Sequence, residues 1–65
     1  MSNLKRIRKD RGLTQEKLAE VSGVNLRILS YYESGYKDIN KAQAITLYSI
    51  AQVLECKIED LLETT

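Results

Sequence analysis

The feature that most constrains this sequence is a very short connection between two helical patterns. The first pattern follows Thr14, carries the apolar Leu18 and stops at Gly23, and the second starts after Asn25. Thr and Asn are residue types that begin helices as N-caps. Only Ser22–Val24 separates the two patterns, and Gly23 can supply the positive φ that so tight a turn needs. The connection therefore predicts two helices that cross steeply.

The rest of the chain is predicted to be helical too, because it has no proline and few alternating apolar and polar stretches. We expect five helical segments, at about residues 3–11, 14–23, 26–34, 41–54 and 58–62. The first three are predicted to stop at glycines, which tolerate the left-handed conformation that ends helices. The residues expected on the inward faces of the second and fourth helices are Leu18, Ala19, Val21, Ala44, Leu47, Ile50, Ala51 and Leu54.

Length and composition restrict the class of protein. Sixty-five residues allow one small domain, so residues 1–65 are expected to form a single domain. The chain has no His, and its single cysteine, Cys56, can form neither an internal disulfide nor a Cys-rich zinc site. We therefore expect no enzymatic activity, no metal or other cofactor and no small-molecule ligand.

Localisation is predicted from the same features. A small domain without disulfides suits a reducing cytoplasm. No apolar run approaches the roughly 20 residues that cross a membrane. We therefore expect a cytoplasmic protein with no membrane contact.

Charge is distributed unevenly along the chain although its net value is only +1. Residues 1–41 carry nine basic and five acidic side chains, a net charge of +4, whereas residues 42–65 carry one basic and four acidic, a net charge of −3. This asymmetry indicates either a polyanionic partner on one side or an ordinary solvated surface.

The two central helices also carry a specific motif, Gln15-x-x-Leu18-Ala19-x-x-x-Gly23-Val24-x-x-x-x-Leu29-x-x-Tyr32. With GLTQEKLAEVSGV, YESG and IEDLLE, the chain closely resembles the Cro/repressor (XRE) helix-turn-helix domain over about residues 3–63. The resemblance implies an all-α, five-helix lambda-repressor-like fold, with a helix-turn-helix formed by helices 2 and 3. It also implies sequence-specific binding to double-stranded DNA through the third helix.

The resemblance further implies which residues contact the bases and which the phosphates. The implied base contacts are Leu26, Arg27, Ser30 and Tyr31, with Ser34 nearby. Arg can bond two acceptors of guanine, and a Leu can touch a thymine methyl. The phosphate contacts, around the helix N-termini and the loop after the third helix, are expected at Thr14, Gln15, Asn25, Lys37 and Lys41. For Tyr31 the alternative is packing on the next element, and for the two lysines it is plain solubility.

Arg8 and Glu33 resemble an ion pair that the family often keeps. We interpret them as a partly buried structural pair that orients the recognition helix, and not as a catalytic dyad. Removing one partner of a buried pair leaves an uncompensated charge.

Four positions depart from the family pattern: Ile28, Ile45 and Tyr48 where polar residues are common, and Glu55 where a glycine is usual. The apolar residues indicate either a self-association surface near Ile39, Ile45 and Tyr48 or a patch on a thin core. Cys56 is expected to be a buried, unreactive thiol.

We therefore expect a bacterial or phage type of transcriptional regulator, a repressor acting as a homodimer on a two-fold DNA site. A single domain of this size buries little DNA surface, and two copies would occupy half-sites about 34 Å apart. The alternative function is a protein-interaction module, such as an antitoxin or adaptor, that depends on Ile45, Tyr48 and the acidic tail.

Overall fold

Five α-helices and one 3₁₀ turn form the fold in the computed structural model, which describes residues 2–63. No strand occurs among these residues, so the predicted all-α class with five helices is confirmed. In chain order the elements are α1 (Asn3–Asp10), α2 (Gln15–Ser22), α3 (Leu26–Ser34), the 3₁₀ turn (Ile39–Lys41), α4 (Ala44–Leu54) and α5 (Ile58–Leu61).

The predicted ends of α2 and α3 are confirmed. The Thr14 hydroxyl accepts a hydrogen bond from the Lys17 N–H at 3.0 Å, which satisfies one N–H that the helix itself leaves without a partner. At the start of α3, the side-chain Oδ1 atom of Asn25 accepts from the N–H groups of Arg27 and Ile28. Gly23 and Gly35 follow the two helices with φ of 75° and 84°, a left-handed conformation that glycine adopts without steric strain.

The core lies where all five helices meet. α2 packs on both α3 and α4, while α5 closes the bundle against α1 and α4. Burying a leucine side chain contributes roughly 1.5–3 kcal/mol, so these contacts are the main source of stability. The largest fully buried side chains are Leu4, Leu18, Leu29, Ile50, Leu54 and Leu61.

The start of the fourth helix differs from the prediction. The helix begins at Ala44 and not near Lys41, because Ile39 inserts into the core and is only 3% exposed. The chain forms the 3₁₀ turn to place Ile39 there, and it then runs extended through Ala42 and Gln43. Ala44 consequently lies in the first turn of α4 and is exposed, so its predicted inward position was wrong.

Val21 is a second correction to the predicted core. It is 54% exposed, whereas Leu18 on the same helix is fully buried and Ala19 packs against the core. The exposure of Val21 follows from the face of α2 on which it lies and not from its place near the helix end, because Ser22, one residue later, is half-buried. The remaining inward positions of α4 are buried as predicted.

Two asparagines hold the last described residues against α1 and the 3₁₀ turn. The side-chain N–H of Asn3 donates to the Leu62 carbonyl at 2.8 Å, and its backbone N–H donates to the Glu63 carboxylate at 2.7 Å. Asn40 of the 3₁₀ turn donates to the Glu63 carbonyl at 2.6 Å and accepts from its N–H at 2.8 Å. These four bonds join α1, the 3₁₀ turn and the segment after α5.

Candidate nucleic-acid interface

A buried ion pair connects α1 to the end of α3. The Arg8 Nε and Nη2 atoms donate to the two oxygens of Glu33 at 2.6 and 3.0 Å, and the two residues are only 7% and 8% exposed. The remaining Arg8 nitrogen, Nη1, donates to the Leu13 carbonyl at 2.6 Å, just before α2. The hydrogen bond with Glu33 raises the pKa of Arg8. Arg8 therefore fixes α1, the approach to α2 and α3 relative to one another.

Gln15 joins the same network. Its side-chain Nε2 donates to the Glu33 Oε1 atom at 3.0 Å, so that this oxygen accepts from both Arg8 and Gln15. Gln15 is the first residue of α2, at the end of the helix whose N–H groups attract anions. The orientation of its amide is consequently set by Glu33 of α3, a link that the spacing of the residues did not predict.

An open groove brings several of the predicted contact residues together at the junction of α2 and α3. It has a volume of about 550 Å³ and lies on the surface. Leu26 and Arg27 are exposed there, and Asn25 accepts from the N–H groups of Arg27 and Ile28 at 2.8 and 3.3 Å. Asn25 thus orders the start of α3. The residues that line the groove are Gln15, Asn25, Leu26, Arg27 and Ser30.

Tyr31 lies one turn further along α3 and contacts an aromatic residue that the sequence prediction missed. Its ring centroid lies 4.7 Å from that of Tyr36, and the ring planes are tilted by 47°. Tyr36 follows Gly35 and is 76% exposed. The signal that points to it is a large aromatic residue directly after a helix-ending glycine, beside Lys37.

The other predicted phosphate contacts lie apart from this groove. Thr14 caps α2, and its hydroxyl oxygen already accepts from Lys17. Lys37 follows Tyr36 and is exposed, with its N–H donating to the Tyr31 carbonyl at 3.2 Å. Lys41 is exposed at the end of the 3₁₀ turn. None of these three residues lines the groove.

Comparisons with known proteins agree with this geometry. A family described as helix-turn-helix matches residues 4–61. The chain is also 38% identical over 64 residues to the uncharacterized HTH-type transcriptional regulator y4dJ of Sinorhizobium fredii, covering 98% of this chain and 79% of that protein. The chain belongs to the helix-turn-helix family. No solved structure matches it significantly.

Membership in the helix-turn-helix family confirms the XRE resemblance and the lambda-repressor-like fold. It also assigns the chain to DNA-binding regulators and not to enzymes. Within residues 2–63, no helix has the length and the hydrophobicity that crossing a membrane would require.

The four departures from the family pattern have different outcomes. Ile45 and Tyr48 are 65% and 53% exposed on α4. Ile28 is half-buried and lines a shallow groove together with Ile45, which Tyr48 does not reach. Ile39 is buried, so the predicted surface that included it was wrong at that position. Glu55 occupies the expected glycine position with a φ of 55°, in the left-handed region.

Cys56 is partly buried against the core and not fully enclosed as expected. Burial raises the pKa of its thiol, and the carboxylate of Asp60 raises it further. Because only the thiolate is an efficient nucleophile, the raised pKa lowers the reactivity of the sulfur near neutral pH.

Proposed function

We propose that this protein is a sequence-specific transcriptional repressor that reads the major groove of double-stranded DNA with α3. The observation that carries the proposal is the groove in which Gln15 and Asn25 flank the exposed Leu26 and Arg27. This groove places the N-terminus of α2, which carries a partial positive charge, beside the proposed base-reading side chains of α3. An α-helix fits the major groove, and the residues of its N-terminal part reach the base edges.

Base readout is assigned to one face of α3. Arg27 would donate to two acceptors of a guanine, a pairing that contributes about 1–3 kcal/mol of discrimination. Leu26 would contact a thymine methyl, and Ser30 would reach either a donor or an acceptor. Tyr31 would contact the bases nearer the C-terminal end of the helix. Leu26 and Arg27 are exposed and Ser30 and Tyr31 are half-buried, and all four lie on α3 at the positions where the family resemblance implies base contacts.

Phosphate contacts are assigned to the ends of the same surface. The N–H groups at the start of α2 and the Gln15 amide would hold one phosphate, with Thr14 beside them. Asn25 would approach a second phosphate near the start of α3. Lys37 and Lys41, both exposed, would follow the backbone after the recognition helix. Such contacts fix the register of the protein on DNA without reading its sequence.

The buried network supports this readout by holding the two helices in one relative orientation. Glu33 of α3 is bonded to both Arg8 and Gln15. The network therefore connects Gln15, the proposed phosphate contact, to the helix that is proposed to read the bases. No buried side-chain nitrogen or oxygen in residues 2–63 lacks a hydrogen-bond partner. A fully satisfied network of this kind is rigid and specifies one geometry.

We further propose that residues 1–65 act as a single cytoplasmic domain that represses by occupying its operator as a homodimer. One domain this small covers little DNA, and two copies on half-sites about 34 Å apart would supply the missing affinity. Each protomer would then read one half of a two-fold site.

Selection from a random duplex library, followed by fluorescence anisotropy on the selected and scrambled duplexes, tests the proposal. Tight binding to the selected duplex that weakens with salt is expected. Arg27→Ala should lower affinity for the selected duplex and relax the preference at one base pair per half-site. Gln15→Ala should weaken binding to all sequences alike.

Lys57→Ala is the matched control, because Lys57 is an exposed basic residue in the acidic part of the chain. It should leave the preference for the selected duplex unchanged. Equal weak binding of the unmodified protein to the selected and scrambled duplexes would contradict the proposal. So would an Arg27→Ala variant with unchanged affinity for the selected duplex.

A second candidate function, a protein-interaction module, is favoured by the outer face of α4. This helix contains no charged residue, and it exposes two large apolar side chains, Ile45 and Tyr48. Exposed apolar groups of this kind mark partner surfaces. If the protein is an adaptor, replacing both by alanine should abolish its association with a protein partner while Arg27→Ala has no effect.

A further inference from the structure

Tyr36 is the most exposed large apolar or aromatic side chain among the described residues, and it lies directly after the recognition helix. It is 76% exposed, yet its ring has a defined partner, because its centroid lies 4.7 Å from that of Tyr31. Aromatic rings attract one another at this separation when they are offset or tilted, as here. The pair is therefore a specific contact and not a chance approach of two surface residues.

The turn after α3 holds Tyr36 in this place. Gly35 adopts a φ of 84° and reverses the chain, and the Lys37 N–H then donates to the Tyr31 carbonyl at 3.2 Å. The Ser34 hydroxyl donates to the same carbonyl at 3.2 Å and accepts from the Tyr36 N–H at 3.3 Å. Backbone and side-chain bonds on both sides of Tyr36 thus fold its ring back over Tyr31.

Tyr31 needs such a neighbour to read a base with precision. A tyrosine on the outer face of a helix has more than one staggered side-chain conformation. A ring packed against one side of it disfavours the conformations that would break the contact. The cost of ordering the side chain is then met during folding and does not reduce the affinity for DNA.

We propose that Tyr36 is a positioning residue for DNA reading, which holds the ring of Tyr31 in the orientation that contacts the bases at the C-terminal end of α3. The inference rests on the proposed function, and it assigns a role to a residue outside the base-reading face. Tyr36 thereby determines sequence preference without needing a base contact of its own.

The test compares Tyr36→Ala, which removes the ring, with Tyr36→Phe, which keeps the ring and removes the hydroxyl. Affinities are measured for the duplex selected by the unmodified protein and for its single base-pair variants. Tyr36→Ala should lower the preference at the base pair read by Tyr31 about fivefold, the effect expected for losing one aromatic contact. Tyr36→Phe should retain it.

Coupling between the two residues is tested with Tyr31→Ala and the double variant. The double variant should lose no more preference at that base pair than Tyr31→Ala alone, because Tyr36 acts through Tyr31. In the DNA-free protein, the NMR signals of the Tyr31 ring should move in Tyr36→Ala and stay in place in Tyr36→Phe. The unfolding temperature of Tyr36→Ala should fall only by the few degrees expected for losing one exposed aromatic contact.

Three results would overturn the inference and leave the proposed function in place. A loss in Tyr36→Phe as large as that in Tyr36→Ala, equal on all duplexes, would mean that the hydroxyl binds a phosphate. Additive losses in the double variant would mean that the residues act separately. Unchanged base preference in Tyr36→Ala would overturn the inference alone, whereas a protein with no sequence preference would overturn the proposed function and this inference with it.

Discussion

The helices α3 and α4 have similar lengths but begin and end in different ways. α3 starts at Asn25, whose side chain accepts two N–H groups, and stops at a glycine. α4 starts after Gln43, which forms no side-chain cap bond, and ends at Glu55 in a left-handed conformation that is unfavourable for a side-chain-bearing residue. Capping residues therefore define both ends of α3, whereas α4 forms although neither of its ends has a favourable capping residue.

The two helices also differ in what holds them in place. α3 buries the charged Glu33, which is bonded to Arg8 and Gln15, whereas α4 has no charged residue and buries four apolar side chains. Hydrogen bonds depend on direction, but the hydrophobic effect depends only on area. α3 is thus oriented by hydrogen bonds, whereas α4 is held by apolar packing, chiefly on α2 and α5.

The largest expected effect comes from breaking the network of α3. Glu33→Ala leaves the buried guanidinium of Arg8 unpaired and should reduce the free energy of unfolding by about 3–5 kcal/mol. Urea denaturation followed by circular dichroism measures this loss. For a domain of this size the variant is expected to be partly unfolded at 37 °C.

Glu20→Ala is the matched control for this carboxylate. Glu20 pairs with Lys17 at 3.1 Å on the exposed face of α2, and such pairs contribute about 0–1 kcal/mol. A loss in Glu33→Ala as small as that in Glu20→Ala would show that direct bonds do not orient α3.

A smaller effect is expected from the helix starts. Asn25→Ala removes the acceptor for two N–H groups and should cost about 1 kcal/mol. Gln43→Ala should leave the free energy of unfolding unchanged. Gln43→Asp should raise it, because the carboxylate can supply the side-chain cap bond that Gln43 does not form. Thermal or urea unfolding of the three variants measures their relative stabilities. A larger loss of stability in Gln43→Ala than in Asn25→Ala would contradict the comparison of the two helix starts.

The residues that end α4 and α3 predict one substitution that stabilises the protein and one that destabilises it. Glu55→Gly relieves the left-handed strain at the end of α4 and should stabilise the protein by roughly 0.5–1 kcal/mol. Gly35→Ala introduces the same strain after α3 and should destabilise it by a similar amount, because an added methyl group would meet no neighbour within 4 Å. Equal effects of the same sign would contradict this interpretation.

The smallest effect is expected at Cys56, just beyond α4. Because its pKa is raised in the folded protein, the thiol is protonated to a higher pH than in the unfolded chain. The associated stabilisation is present at neutral pH and is lost as the pH rises through the pKa of the folded state. Iodoacetamide should therefore alkylate the native protein more slowly than the urea-unfolded protein at pH 8, and equal rates would contradict the prediction.

The features of the fold that were predictable from the sequence are those decided by neighbouring residues. Thr14 and Asn25 begin helices through their own side chains, and Gly12, Gly23 and Gly35 all adopt the positive φ expected of them. These signals act over three or four residues. The spacing of the motif around them was therefore sufficient to predict the two central helices.

The features that were missed depend on contacts between distant residues. Burial of Ile39 delays the start of α4, and no residue near Lys41 signals it. Within the site, the Gln15 bond to Glu33 spans 18 positions, and the ring contact of Tyr36 depends on a turn that composition alone does not specify. Side-chain partners of this kind become visible only once the helices are in place.

The bonds that join Asn3 to Leu62 and Glu63 also have a kinetic consequence. They connect residues 59 and 60 positions apart, whereas α2 and α3 are neighbours in the chain. Closing so long a loop costs more chain entropy than docking adjacent helices, so these bonds are expected to form after the transition state for folding. Weakening them would accelerate unfolding and leave the folding rate almost unchanged. The protein's lifetime in the folded state is therefore adjustable at Asn3, in the first turn of α1, without a change to any residue of α3.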